Sequence, residues 1–175
     1  MSQIRSWGST EAERAETYPC DSLLADPDDV LYRAVTVAAP PQAVFRWLCQ
    51  LRVAPYSYDW IDNFGRRSPR ELVPGTDELA VGQRVMRIFR LAAWQPDRHL
   101  TVVLDNPVGC RVFGDLAVTY RVAAADGATR LVVKLRVRRP RGLFRIVSPL
   151  LPSGDLIMMR KQLLTLKSLA ERSAR

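Results

Sequence analysis

The sequence predicts an α+β fold, an antiparallel β-sheet with one apolar face covered by a long C-terminal α-helix. Three observations carry this. From Ser153 to Glu171, residues Leu156, Met159, Leu163, Leu166 and Ala170 share one stripe at the helical period, and Lys161, Thr165, Ser168 and Arg172 lie opposite. From Thr129 to Arg139, Leu131, Val133, Leu135 and Val137 alternate with Val132, Lys134, Arg136 and Arg138, the pattern of a strand with one covered face. Between Arg84 and Arg139 strand follows strand through short turns, and consecutive hairpins make an antiparallel sheet.

The elements follow in order. Residues 1–29 read as an acidic N-terminal extension, and residues 30–175 as a single domain. Thr10 and Glu13 have capping-box spacing, which predicts a short helix ending near Glu16. Asp26 to Asp29 is a turn. In VLYRAVTVAA, Leu31, Arg33, Val35 and Val37 alternate with Val30, Tyr32, Ala34 and Thr36, a strand. Pro40 and Pro41 stop it and suit the first turn of a helix whose one face holds Ala43, Val44, Trp47, Leu48 and Leu51. Ala54 to Pro69 interleaves Tyr56, Tyr58, Trp60 and Phe64 with Asp59, Asp62, Arg66 and Arg67, bounding at best a short helix. A short strand fits only near Glu71 to Val73 in the following loop. Four strands come next, Arg84–Trp94, His99–Asp105, Arg111–Ala123 and Thr129–Arg139, with Asp126–Gly127 a strong hairpin signal. Pro152 stops the final helix from running further back, and Ser153 or Asp155 can cap it.

Composition narrows the class. A chain of 175 residues holds one domain with a substantial core. No apolar run approaches the roughly 20 residues that span a bilayer, so no transmembrane segment is expected. The leader lacks the apolar stretch of a secretory signal, and Cys20, Cys49 and Cys110 are odd in number without CxxC spacing. Reduced thiols and a cytoplasmic location follow as expectations. The net charge of +8 is uneven: residues 130–175 hold 12 Lys and Arg against 2 Asp and Glu, and residues 1–129 hold 14 against 16. A basic C-terminal third suits an anionic partner or simply a solvated face. Lys134, Arg136 and Arg138 have no aromatic neighbours on which bases would stack, so no nucleic-acid partner is expected.

The order of elements, with the opening VTVAAPPQAVFRWLCQL, resembles the helix-grip fold of the START-like (SRPBCC) superfamily. That superfamily includes polyketide cyclases and aromatases, plant pathogenesis-related allergens and lipid-transfer domains. The resemblance covers roughly Val30 to Glu171, and APYSYDWIDNFGRRSP is similar to a bacterial branch of it. It implies a curved sheet wrapped around the C-terminal helix, with two short helices after the first strand and a cavity for a hydrophobic or aromatic small molecule. Candidate ligand residues are Trp47, Tyr56, Tyr58, Trp60, Met86, Ile88, Phe89, Val102, Leu104, Phe113, Leu116, Val118, Met158, Met159 and Leu163. Apolar residues at this spacing either fill a core or line a hollow.

Signals for chemistry are thin. A single histidine, His99, excludes a histidine-rich metal site, and HExxH, GxGxxG, Walker and GxSxG motifs are all absent. No metal or cofactor is expected. Asp59 and Asp62, three residues apart in an aromatic setting, are with Tyr58 the candidates for acid–base work. The same carboxylates suit a helix cap or ion pairs with Arg66, Arg67 or Arg70, and that is the reading to expect first. Three functions remain: binding of a lipid- or polyketide-like molecule, a cyclase- or dehydratase-like enzyme, and an interaction module using the basic surface.

Overall fold

The structure, a computed structural model, describes residues 3–58, 60, 65–142 and 151–175. Three short helices, α1 (Gln3–Ser6), α2 (Glu11–Ala15) and α3 (Cys20–Leu23), precede β1 (Asp29–Val37). Helix α4 (Pro41–Cys49) runs on into a 3-10 turn, Gln50–Arg52. Strands β2 (Arg84–Val85), β3 (Phe89–Gln95) and β4 (His99–Leu104) follow, then helix α5 (Pro107–Phe113). Strands β5 (Asp115–Ala125) and β6 (Ala128–Arg138) lead to the last helix, α6 (Leu151–Ser173). The six strands form one curved antiparallel sheet in the order β1-β6-β5-β4-β3-β2. No helix among the described residues is long and apolar enough to cross a membrane.

Local chemistry accounts for the boundaries. Pro41 occupies the first turn of α4, where its missing N–H is harmless. The Thr10–Glu13 capping box is closed in both directions, with the Glu13 N–H on the Thr10 hydroxyl at 3.2 Å and the Thr10 N–H on the Glu13 carboxylate at 2.8 Å. Asp126 and Gly127 both take positive φ, 37° and 76°, as a tight hairpin that follows strand twist requires.

The inner face is the main core. Leu31, Val35 and Val37 of β1, Leu131 and Val133 of β6, Val118 and Val122 of β5, Leu100 and Val102 of β4 and Leu91 of β3 are all buried. They join one cluster with Val44, Trp47, Leu48 and Leu51 on the α4 side and with Met159, Leu163, Leu166, Leu169 and Ala170 of α6. The expected helical stripe is therefore the surface that α6 lays on the sheet. Trp47 also donates its indole N–H to the Ser173 hydroxyl at 2.8 Å, tying α4 to the end of α6.

The outer face is covered by the N-terminal segment. Tyr18, Cys20 and Leu24 form a second cluster with Tyr32, Ala34, Ala117 and Val132. The charge asymmetry of the sequence is resolved here. Asp21 pairs with both Lys134 (2.7 Å) and Arg136 (2.8 Å), Glu13 with Arg130 (2.7 Å), and Asp29 with Arg139 (3.0 Å). Lys134 also lies over the Tyr18 and Tyr32 rings, 5.1 and 5.5 Å from their centroids. Gly8, at φ 72°, passes so close to β1 that a Cβ would stand 2.1 Å from the Ala34 carbonyl oxygen. Only glycine fits there.

Several expectations are corrected. The outward side of β6 is not a simply solvated face, because Lys134 and Arg136 are covered by the leader, and Arg138 alone of the three stays substantially open. The strand expected at Arg84–Trp94 breaks at residues 86–88, where Met86 and Arg87 have φ of 46° and 65°. The strand expected to begin at Arg111 begins at Asp115, since Asn106 caps α5 through the Gly109 N–H and Pro107 opens it. Phe113 consequently ends a helix and is 39% exposed. No strand forms at Glu71–Val73. Helix α6 is described from Leu151 and carries Pro152, Ser153 and Asp155 within it, so Ser153 and Asp155 are not its caps.

Two outcomes test this packing. Leu163 is fully buried, and Leu163→Ala is expected to lower stability by about 2–5 kcal/mol in urea titration. The Asp21 carboxyl is opposed by burial, yet its bonds to Lys134, to the Tyr18 N–H and to Arg136 hold it below the usual carboxylate range. Its contribution is therefore present at neutral pH and lost as pH falls through that lowered value. Asp21→Ala is expected to cost about 1.5–3 kcal/mol at pH 7, with the deficit shrinking in acid.

Candidate functional site

Among the described residues, two polar groups stand between the largely apolar inner face and α6. Strand alternation puts Tyr120 inward between Val118 and Val122, and it is buried. Its hydroxyl donates to the Gln162 Oε1 at 2.8 Å, while Gln162 Nε2 donates to the Pro55 carbonyl at 2.6 Å. The thioethers of Met159 and Met86 complete the surroundings, 4.0 Å from the Tyr120 hydroxyl and 3.5 Å from Gln162 Nε2 respectively. One amide thus joins β5, α6 and the segment after α4. Burial raises the Tyr120 phenol far above its ordinary value, so it remains a neutral donor.

The second group is an ion pair, fully buried at its arginine and partly exposed at its carboxylate. Arg33 is completely enclosed on β1 and donates to the Tyr32 carbonyl (2.8 Å), the Pro152 carbonyl (3.2 Å) and the Asp155 carboxylate (2.8 Å). Burial pushes the Asp155 carboxyl up to about 6, although the Arg33 charge and hydrogen bond pull the other way. Asp155 lies one turn before Met159 and two before Gln162, so all three project from one side of α6. The arrangement holds a neutral hydroxyl donor, an amide and a carboxyl able to exchange a proton near neutrality, in an otherwise apolar interior.

The candidate ligand residues divide. Trp47, Tyr56, Val102, Val118, Met159 and Leu163 belong to the main core, and Met86, Phe89 and Leu116 pack against it half-buried. Trp47 and Tyr56 meet edge to face, 6.1 Å between centroids. Leu104 is buried apart from that cluster, and Tyr58, Ile88 and Met158 are half-buried. Trp60 is 75% exposed, and Phe113 is partly open to solvent. Asp59, Asp62 and Phe64 lie outside the described residues. Among the described residues no three His, Cys, Asp or Glu side chains come together as a metal site.

Sequence reasoning passed over Arg33, Tyr120 and Gln162, and it read Asp155 as a cap. A signal existed for the first: an arginine in the same alternating register as Leu31, Val35 and Val37 must either leave the core or bring a counter-charge into it. Gln162 gave no such signal, since it borders the apolar stripe where a polar residue ordinarily reaches water.

No family model matches the chain, and no curated protein matches it. Solved structures do. The Zhui aromatase/cyclase from a Streptomyces species aligns over 83% of this chain and 95% of its own, at 18% identity and a TM-score of 0.54. Protein MLL2253 from Mesorhizobium loti aligns over 82% and 98%, at 17% identity and 0.52. Protein CV1439 from Chromobacterium violaceum aligns over 81% and 96%, at 15% identity and 0.52. What is shared at these identities is the architecture. The chain has the helix-grip fold, α6 lying against a six-stranded antiparallel sheet.

The ion pair has a pH signature. Asp155 is raised above its unfolded value of 3.8, so the folded protein binds a proton that the unfolded chain does not. That contribution is full below about pH 4 and lost as pH rises through about 6. Arg33→Met keeps most of the volume but strands the carboxylate. It is expected to destabilise by about 3–5 kcal/mol at pH 7 and by clearly less at pH 4.5, where Asp155 is neutral, in urea titrations at the two pH values.

Proposed function

We propose that the protein binds a hydrophobic or aromatic small molecule between the inner face of the sheet and α6, the Tyr120–Gln162 pair giving that molecule its polar anchor. The observation that carries this reading is the pair itself. A buried hydroxyl and amide flanked by two methionine sulfurs, in an apolar interior, is the composition of a small-molecule site: apolar walls with a few convergent polar groups. Methionines repack readily around differing shapes. In this reading a ligand would enter beside the segment 54–58, which Gln162 ties to α6 through the Pro55 carbonyl, with the exposed Trp60 at the rim. An architecture shared with an aromatase/cyclase agrees with a lipid- or polyketide-like ligand.

A second reading, cyclase- or dehydratase-like chemistry, is favoured by one feature, the Asp155 carboxyl beside the Tyr120–Gln162 pair on α6, which burial pushes up to about 6. Asp155 would then move the proton, a role first sought at Tyr58, Asp59 and Asp62. The third reading, a basic docking surface, draws no support from Lys134 and Arg136, both engaged by Asp21.

The test is native mass spectrometry of the purified protein, followed by displacement of any co-purified molecule with 1-anilinonaphthalene-8-sulfonate. A bound apolar molecule, and at least fivefold weaker probe binding by folded Tyr120→Phe, are expected. A ligand-free protein whose probe binding is unchanged in both Tyr120→Phe and Met159→Trp would reduce the interior to packed core.

A further inference from the structure

A groove at one end of the sheet, reached from both of its sides, lies apart from the Tyr120–Gln162 pair. At one end of the sheet the register pairs Gln95 of β3 with His99 of β4, and His99 with Arg121 of β5. Directly paired residues point to the same face at about 5 Å spacing, so these three side chains form a row. Thr17 to Pro19 of the leader, Pro41 and Gln42 at the start of α4, and the turn Pro96 to Arg98 rise around it. The groove is open to solvent along its mouth and holds about 650 Å³, the size of a small-molecule site.

The chemistry of the row is specific. The Nδ1 of His99 is buried and has no partner among the described residues. Burial also lowers the imidazole's affinity for a second proton, so the ring is neutral at pH 7. Stranding a lone pair inside a protein is more readily tolerated than stranding an N–H, so the single ring proton belongs on Nε2. Arg121 is engaged by Glu16 and lies over the Tyr18 ring. Arg98 is exposed, and among the described residues it makes no ion pair. The lining therefore offers a free guanidinium and a neutral imidazole donor beside three prolines, Pro19, Pro41 and Pro96, with Asp97 as its one carboxylate.

We propose that this groove binds small aromatic carboxylates. The carboxylate accepts hydrogen bonds from Arg98 and from His99 Nε2, and the aromatic ring rests on the pyrrolidine faces. Arginine suits this task because its planar fork matches both carboxylate oxygens. Asp97 works against it as a like charge at the rim.

His99 is the only histidine in the chain, so its imidazole nitrogens give one unambiguous NMR signature. The experiment titrates ¹⁵N-labelled protein with benzoate, and separately with benzamide and inorganic phosphate, while following those nitrogens. Benzoate is expected to shift Nε2 saturably, with benzamide silent and phosphate at least tenfold weaker. Arg98→Ala is expected to weaken benzoate at least tenfold, and Asp97→Asn to tighten it severalfold. Both replacements sit on an exposed turn, and asparagine accepts the positive φ of position 97. No shift with benzoate, an equal response to benzamide or phosphate, or unchanged affinity in Arg98→Ala would each overturn the proposal. Loosened binding in Asp97→Asn would overturn the assigned role of that carboxylate.

Discussion

A single sheet with buried side chains on both faces cannot stand alone, and every other element answers that constraint. The inner face, with Leu91, Val102, Val118 and Leu131, is covered by α4 and α6. The outer face, with Ala117 and Val132, is covered by Tyr18, Cys20 and Leu24. The two covers work by different physics. The inner one is almost wholly apolar and draws on area removed from water, at about 25 cal/mol per Å². The outer one is as much electrostatic as apolar, because β6 alternates valines with cations and the leader supplies Glu13 and Asp21 opposite them.

Polar groups inside the inner cover stand out against that division. Arg33 and Asp155 neutralise one another at the start of α6, and Tyr120 and Gln162 satisfy one another two turns on. An apolar pair of similar volume at either place would serve stability at least as well. Their value lies in orientation: each fixes the rotation of α6 about its own axis, which a purely apolar stripe specifies poorly. Any molecule bound beside α6 would then meet a constant set of donors.

Much of this was legible in the sequence. Period-two alternation and the Asp126–Gly127 turn marked β6 and its hairpin with β5, and helical spacing marked α4 and the buried stripe of α6. These signals are local and redundant, each resting on many residues. Where a single residue decides, the reading failed. Asn106 with Pro107 reads equally as a turn or as a helix start, and only the tertiary setting, which lets the Asn106 side chain cap Gly109, chose the helix. Positive φ at Met86 and Arg87 has no sequence signature, since neither residue favours it. The interior pairs were illegible for a related reason. A polar residue declares itself as buried only together with its partner, and Arg33 finds Asp155 122 residues later.

The pairing of β1 with β6 has a consequence for how the chain reaches this shape. Asp29 meets Val137 and Val37 meets Thr129, so the first strand finds its neighbour only after the rest of the sheet has been made. During synthesis the leader and β1 must wait, with β1's apolar side uncovered, until β6 has emerged. Closing so long a loop is slow, and sheets dominated by distant pairings fold in milliseconds to seconds. The acidic leader suits that delay, since its negative charges keep the waiting segment hydrated and make its later attachment to the cations of β6 a matter of electrostatic capture.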